Sequence, residues 1–363
     1  MSGKFVLRGK VHLLTAALIG SGKGEDYDVE LIKDSQGQPY IPITSLIGVL
    51  CHTIKIQEHK KELKNFWGYS ENNIGKQSAI MGKDLICNKI PTIGIRDGIA
   101  IDHSIGIVIP EKKYNYEILE PGVVFDLFLE VNYDKETQEF YKKMLFTIKQ
   151  LLEESEIHIG AKTNNGLGKI QLREGSIFQF DWSNKKDILR WFNQDFSTPS
   201  NIESECFENE VREFAIEASF DLVNSLIIRS YSDNPNDADA THIKSGGKNI
   251  LAGSSFKGAL RGRSIRILNT LGKTNEQVTK IITKLFGNVD DKKRANIARK
   301  GKLSVEEVNI LNFVEELQNR IKIDRFTAGT IEGSLFDSMP LFKKNNSKNL
   351  ENVRIAIKDY EDY

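Results

Sequence analysis

The stretch ILAGSSFKGALRG (residues 250–262) predicts a short strand that turns through small residues into a basic helix. A similar stretch, YIPITSLIGVL, stands at residues 40–50. When the two are aligned, Ser45 matches Ser255, 210 residues further along the chain. A strand-to-helix junction that occurs twice indicates that the fold contains a repeated unit.

The match between the two halves extends in both directions from this junction. The further pairs are Asp28 with Asp239, FWG (66–68) with LFG (285–287), IDH (101–103) with IDR (323–325), and VFDLFLE (124–130) with NVRIAIK (352–358). The spacing within the pairs grows steadily from about 210 to 228 residues. Steady growth is expected for a duplicated domain that has acquired loop insertions.

The first unit is predicted to contain, in order, a strand, a helix, strands, a helix and a strand, and the second unit repeats this order up to its second helix. This is the ferredoxin-like order, which RNA-recognition domains share. Apolar residues at 140, 144, 145, 148, 151 and 152 predict the second helix of the first unit. We therefore predict an α+β protein with two ferredoxin-like domains in tandem. The first is residues 1–180, a linker follows at 181–212, and the second is residues 213–363, without counterparts of the last helix and of the Gly-rich loop GAKTNNGLGK.

Composition narrows the class of protein. Hydrophobic residues make up 39% and charged residues 28% of the 363 residues, and the formal net charge is zero, as in globular proteins. Cys51, Cys87 and Cys206 are widely separated, which argues against a zinc site or a disulfide framework and favours the cytoplasm. No apolar run reaches the length of about 18 residues that a membrane span needs, so we expect no membrane association.

Local charge points to an anionic partner. Residues 244–273 contain seven Lys or Arg residues and no acid, and KKRANIARKGK follows at 292–302. Helix amino termini and Gly-rich loops both bind phosphate, although a plain helix cap or a plain turn explains either one alone. The candidate RNA-binding residues are Ser45, Ser254, Ser255, Lys257, Arg261 and Arg263 at the junctions, with the serines as helix caps, and Gly160, Lys162, Asn164, Asn165, Gly166 and Gly168 in the Gly-rich loop.

Asp28 and Asp239 are the candidate catalytic residues. Both stand in the loop before the junction, four residues before an Ile-Lys pair. A carboxylate beside a phosphate-binding loop is unfavourable unless it works with a metal ion or on a proton. His242 follows Asp239 closely, but Leu31 stands at the matching position, so no role is assigned to the histidine.

Together these motifs resemble the RAMP-superfamily backbone subunit of type III CRISPR effector complexes, the Csm/Cmr group, in two fused copies. The resemblance implies guide RNA, complementary target RNA and other RAMP-type subunits as partners, and Mg²⁺ or another divalent cation as cofactor. It also implies that Asp28 and Asp239 direct target cleavage beside thumb hairpins, which would emerge near 89–101 and 303–322. The first copy departs from the family pattern, because Ile47 stands opposite Lys257.

The leading hypothesis is therefore a guide-binding subunit that cuts target RNA with one aspartate in each repeat. The sequence does not decide whether the aspartate acts as a base or as a metal ligand. The alternatives are a non-catalytic scaffold of the same complex, a metal-independent guide-precursor nuclease, and an unrelated duplicated RNA-binding module.

Overall fold

The computed structural model describes residues 2–71, 74–87, 89–102, 105–209, 211–230, 237–288, 299–344 and 348–358. The chain divides into two compact units. Unit 1 consists of Met1–Ile95, Tyr116–Thr163 and Leu167–Val211, and unit 2 consists of Arg96–Asn115, Asn164–Gly166 and Arg212–Tyr363.

Both halves of the chain contain helices and strands. The α-helices of the described residues are α1 (Ile43–Thr53), α2 (Lys60–Trp67), α3 (Gln138–Glu153), α4 (Lys185–Phe192), α5 (Gly253–Thr270) and α6 (Asn275–Phe286). The strands as far as residue 181 are β1 (Gly3–Leu13), β2 (Gly20–Gly22), β3 (Glu30–Leu31), β4 (Tyr40–Ile41), β5 (Tyr69–Glu71), β6 (Ile74–Lys76), β7 (Ile80–Gly82), β8 (Leu85–Ile86), β9 (Ile93–Gly98), β10 (Ile101–Asp102), β11 (Ile107–Val108), β12 (Tyr114–Leu119), β13 (Val124–Tyr133) and β14 (Ile170–Asp181). The later strands are β15 (Glu213–Phe220), β16 (Ser225–Leu226), β17 (Arg229–Ser230), β18 (Thr241–His242), β19 (Lys244–Ser245), β20 (Lys248–Leu251), β21 (Gly287–Asn288), β22 (Arg299–Lys300), β23 (Leu303–Val305), β24 (Val308–Asn309), β25 (Phe313–Glu315), β26 (Gln318–Arg320), β27 (Phe336–Ser338), β28 (Leu341–Lys343) and β29 (Leu350–Lys358).

Unit 1 is built on an antiparallel sheet with the order β14-β1-β13-β7. Numbered along the chain, these four strands have the spatial order 4-1-3-2. Helix α1 precedes the second of them and α3 precedes the fourth, which is the ferredoxin-like connection. The predicted fold class is confirmed in this unit.

The core of unit 1 lies between the sheet and its helices. Residues of β1 such as Phe5 and Leu7 are fully buried there, together with Leu46 of α1. The stripe predicted for α3 is also found, since Leu145 and Ile148 are fully buried. Amphipathic periodicity therefore placed this helix correctly.

The opposite face of the same sheet is covered by residues that we predicted to form a linker. Phe180 and Val6 are fully buried in a second apolar cluster, against which Trp191 of α4 packs. The ring centroids of Phe180 and Trp191 are 5.3 Å apart. Residues 181–211 thus belong to unit 1, because aromatic side chains in a segment of polar composition pack onto the sheet.

Unit 2 repeats part of this arrangement. Its antiparallel sheet has the order β15-β29-β23, which corresponds to β1-β13-β7 of unit 1. Helix α5 occupies the place of α1 in the chain order. Within its described residues, unit 2 has no counterpart of α3 or of β14.

Backbone details confirm the duplication. Gly68 directly follows α2 and Gly287 directly follows α6, and they are the two glycines of the matched FWG and LFG motifs. Both adopt nearly the same positive-φ conformation, with φ of 78° and 85°. A Cβ would lie 2.7 Å from Ser78 N at the first position and 2.7 Å from Arg299 O at the second. Glycine is required at both helix ends for the same reason.

Two hairpin regions stand close to the predicted thumbs. In the first, β10 pairs with β11 and exposes Ile101 and Ile107, while His103 of the IDH motif lies outside the described residues. In the second, β25 pairs with β28, β26 pairs with β27, and Phe326 is fully exposed. This hairpin starts at Phe313, later than expected, because β23 (Leu303–Val305) pairs with β29 in the sheet.

No helix in the described part of the chain is long and apolar enough to cross a membrane.

Candidate nucleic-acid interface and loop aspartates

The structure places Asp28 and Asp239 in equivalent loops of the two units. Both side chains are exposed. The residue after each aspartate forms a parallel bridge with a later strand, Val29 with Tyr116 and Ala240 with Ser338. The predicted equivalence of the two loops is therefore also seen in the backbone pairing.

Hydrogen bonds on either side of the bridges repeat as well. The amide of Glu117 donates to Val29 O at 3.0 Å, and the amide of Met339 donates to Ala240 O at 2.9 Å. In both units a short bridge ties the aspartate loop to the strand that returns from the hairpin region. Each loop is thus held from one side by backbone bonds.

A second carboxylate stands next to Asp239. The amide of Asp239 donates to Asp337 Oδ1 at 2.6 Å, and the amide of Asp337 donates to Asp239 Oδ2 at 3.1 Å. This reciprocal pair joins residues that are 98 positions apart. We did not identify Asp337 from the sequence, although the 222-residue spacing of the IDH and IDR motifs would have aligned it with Asn115.

The buried polar residues near the two aspartate loops differ between the units. In unit 1, Glu117 is buried, accepts from the amide of Leu31 at 2.9 Å and forms an ion pair with Lys33 at 3.0 Å. In unit 2, His242 is buried: its Nδ1 accepts from the amide of Ile228 at 3.2 Å, and its Nε2 lies 2.8 Å from Ile250 O. Burial lowers the pKa of His242, so the neutral ring serves as a structural connector.

The serines at the junctions are not helix caps, contrary to our prediction. Helix α5 begins at Gly253 after the extended residue Ala252, and α1 begins at Ile43 after Pro42, without a side-chain cap from either preceding residue. Ser255 lies inside the first turn, where its amide donates to Ala252 O at 3.0 Å.

The other two serines also lie within the first helical turns. Ser254 is the second residue of α5 and is exposed, and Ser45 is the third residue of α1. The amide of Ser45 donates to Pro42 O at 2.9 Å, which matches the bond at Ser255. The junctions are therefore equivalent, although the helices start one to two residues earlier than we predicted.

The two helix amino termini differ in charge. At α1, Asp84 Oδ1 accepts from the amide of Ile43 at 2.8 Å, so a carboxylate already occupies the positive end of this helix. The first turn of α5 contains no acid and is followed by Lys257 and Arg261. Of the two helix amino termini, only that of α5 has the electrostatics of a phosphate site.

Basic residues gather at the start of α5. Lys257 and Arg261 are one helical turn apart and both are partly buried. Burial, together with the positive charges of Lys300 and Arg261, lowers the pKa of Lys257 to about 8. Burial also lowers the pKa of the Arg261 guanidinium. This group of cations would gain from a bound anion.

Arg263 does not join this group. It is exposed and stands two residues after Arg261, which places it about 200° further around the helix. Most of the second basic stretch, residues 292–298, lies outside the described residues.

Part of the Gly-rich loop belongs to the same surface. Unit 2 includes the loop residues Asn164, Asn165 and Gly166. Asn164 Nδ2 donates to Gly301 O at 2.6 Å, next to Lys300. A Cβ on Gly253 would collide with Asn165 O, so the loop touches the first residue of α5.

The other loop residues remain in unit 1. A Cβ at Gly160 would collide with Leu18 O and one at Gly168 with Ile159 O, so backbone packing explains both glycines. The Lys162 ammonium lies 4.7 Å from the ring centroid of Tyr116. Binding of RNA by these three residues stays a prediction.

The donor atoms near Asp239 are compatible with Mg²⁺. This ion takes oxygen ligands and is usually bound by one or two carboxylates with waters and substrate phosphates. Among the described residues, no group of three or more His, Cys, Asp and Glu side chains could hold a metal ion. The exposed carboxylate of Asp239 could therefore hold the ion together with an RNA phosphate. Asp28 offers the same carboxylate in unit 1.

The fold and the repeated junction agree with a comparison against protein families. The model of the RAMP superfamily matches residues 10–171 and 219–360, which together are most of the chain. The chain belongs to the RAMP superfamily. The two matched regions confirm the predicted tandem arrangement of two RAMP domains.

The comparisons with curated proteins and with solved structures add little to the family match. No curated protein matches this chain. One similar chain among solved structures comes from the "Cryo-EM structure of the Type III-B Cmr-beta bound to cognate target RNA". It is 14% identical with a TM-score of 0.40, and the alignment covers 46% of this chain and 96% of that chain.

Proposed function

We propose that this chain is a backbone subunit of a type III CRISPR effector complex, which binds guide RNA and cleaves complementary target RNA. Membership of the RAMP superfamily and the motif resemblance support this assignment. The observation that carries it is the group of cations at the start of α5, beside the loop of Asn164–Gly166. RNA-guided cleavage also accounts for the paired aspartate loops.

The RNA backbone would bind at the start of α5. Phosphate oxygens would accept hydrogen bonds from the first amides of the helix and from the side chains of Ser254 and Ser255. Lys257 and Arg261 would supply positive charge, and binding should weaken with salt. None of these groups reads a base, so the surface fits a protein whose sequence specificity comes from a guide.

The reaction would be attack of a target 2′-hydroxyl on the neighbouring phosphorus. The bond from phosphorus to the 5′ oxygen breaks, leaving a 2′,3′-cyclic phosphate, and the departing 5′ oxygen takes up a proton from water to become a hydroxyl. Asp239, or Asp28 in the first repeat, would accept the hydrogen bond of the attacking hydroxyl and take its proton. A bound Mg²⁺ would neutralise charge on the phosphate.

The two repeats would contribute differently to RNA binding. The carboxylate of Asp84 at the start of α1 repels a phosphate, and Ile47 replaces the lysine found at position 257. We therefore expect Ser45 to contribute little to affinity. The first repeat would act mainly through Asp28.

The test is a filter-binding and cleavage assay on the assembled complex with a labelled target RNA. The charge variants are Lys257→Met and Arg261→Met, and Arg263→Met is the matched control on the other side of the same helix. We expect weaker guide retention with the first two, little change with the control, and loss of cleavage in EDTA. Cleavage that persists in EDTA would instead indicate the metal-independent precursor nuclease. Equal affinity in all three variants would refute the proposed RNA surface.

A further inference from the structure

Asp337 holds the loop of Asp239 through side-chain and backbone bonds at the same time. Its Oδ1 accepts from the amide of Asp239 at 2.6 Å, and its own amide donates to Asp239 Oδ2 at 3.1 Å. The next residues are joined by the bridge between Ala240 and Ser338. Oδ2 of Asp239 is therefore held by the hydrogen bond from the amide of Asp337, and this bond also sets the direction of Oδ1.

The repeat supplies a natural comparison at this position. Tyr116 forms the bridge in unit 1 that Ser338 forms in unit 2. The residue before Tyr116 is Asn115, whereas the residue before Ser338 is Asp337. An asparagine offers the same acceptor oxygen as an aspartate but carries no charge. Both residue types therefore offer an acceptor oxygen, and only Asp337 carries a negative charge.

We infer that Asp337 is a positioning residue for Asp239, and that it acts through its acceptor oxygen rather than through its charge. This inference rests on the proposed cleavage by Asp239. Without the acceptor oxygen of Asp337, the amide of Asp239 would donate to water instead, and the loop would lose one of the hydrogen bonds that hold it. A displacement of the reacting carboxylate by about 1 Å is enough to slow a reaction by about a hundredfold.

The test compares Asp337→Asn with Asp337→Ala in the assembled complex. The readout is the rate of the cut that Asp239→Asn abolishes, and the cut that depends on Asp28 is the internal control. We expect the alanine variant to slow the first cut by about ten- to a hundredfold. The asparagine variant should stay within about fivefold of wild type, since a partly solvated charge contributes little.

A second measurement does not depend on activity. Hydrogen exchange of the full chain, followed in peptides covering 237–243, should be faster with alanine at position 337 and unchanged with asparagine. Wild-type cleavage and unchanged exchange in the alanine variant would overturn the inference. An asparagine variant as slow as the alanine variant would show that the charge matters.

Failure of the proposed function gives a different result. In that case the Asp239→Asn variant would still make every cut. The hydrogen-exchange measurement would still show whether the bond to Asp337 holds the loop.

Discussion

Replacing Glu307 with alanine is expected to destabilise unit 2 strongly. Arg96 Nη1 donates to Glu307 Oε2 at 2.6 Å, and Arg96 Nη2 donates to Glu307 Oε1 at 3.1 Å. The side chains are only 6% and 4% exposed. Removing one partner of a buried pair leaves the other charge without compensation, which costs about 3–5 kcal/mol.

The pair also supports the proposed RNA surface. A Cβ on Gly166 would collide with the amide nitrogen of Glu307, so the Gly-rich loop packs directly on this residue. Loss of the ion pair should therefore weaken guide binding together with stability.

Urea unfolding followed by two probes measures the effect. All three tryptophans, Trp67, Trp182 and Trp191, lie in unit 1, so their fluorescence follows that unit, while circular dichroism follows both. We expect the Glu307→Ala transition to move to lower urea by circular dichroism only. The matched control is Asp221→Ala, which removes the half-exposed ion pair to Lys343 at 3.1 Å and should cost less than about 1 kcal/mol.

A double variant separates charge from packing. Arg96→Met with Glu307→Leu removes both charges and keeps apolar volume, so it should recover most of the stability that the single variant loses. A single variant no less stable than Asp221→Ala would show that the buried ion pair contributes little to stability. A double variant as unstable as Glu307→Ala would show that the loss does not come from the uncompensated charge.

Two further predictions concern the surface beside α5. The affinity for RNA should fall as the pH rises from 7 to 9, because the pKa of Lys257 is about 8 in the free protein and a phosphate favours the protonated form. The Lys257→Arg variant stays charged, so its affinity should change less over this pH range. An equal change in affinity in both proteins would contradict this prediction. Gly166→Ala should cost well over 1 kcal/mol in thermal unfolding, since φ is +86° and the new Cβ meets Glu307. Gly247→Ala, with φ of +75° and open space around it, is the control that should cost about 1 kcal/mol. Similar losses in both variants would show that the contact with Glu307 is unimportant.

Periodicity and repetition in the sequence were sufficient for the main features of the fold. The α3 stripe follows directly from helical spacing, and the FWG and LFG motifs mark the same positive-φ helix end. These features are local, so one stretch of sequence contains the whole signal.

Features that depend on distant partners were not predicted. Asp337 meets Asp239 across 98 positions, and Arg96 meets Glu307 across 211. The caps were predicted wrongly for the same reason, because Asp84 satisfies the first amide of α1 from 41 positions away. Short polar motifs show which chemistry is available but do not show which residue lies beside it.

The polar segment at 181–212 shows a related limit. Its composition suggested a linker, yet Trp191 and Phe207 are enough to attach it to unit 1. A few aromatic side chains outweigh many polar ones when each buries a large apolar surface.

Cleavage of a guide-complementary RNA by the assembled complex with Mg²⁺ shows whether the two loop aspartates direct target cleavage. Wild type would be compared with Asp28→Asn, Asp239→Asn and the double variant. We expect each single variant to lose one distinct product and the double variant to lose both. An unchanged product ladder in the double variant would contradict this expectation and would assign the chemistry to another subunit.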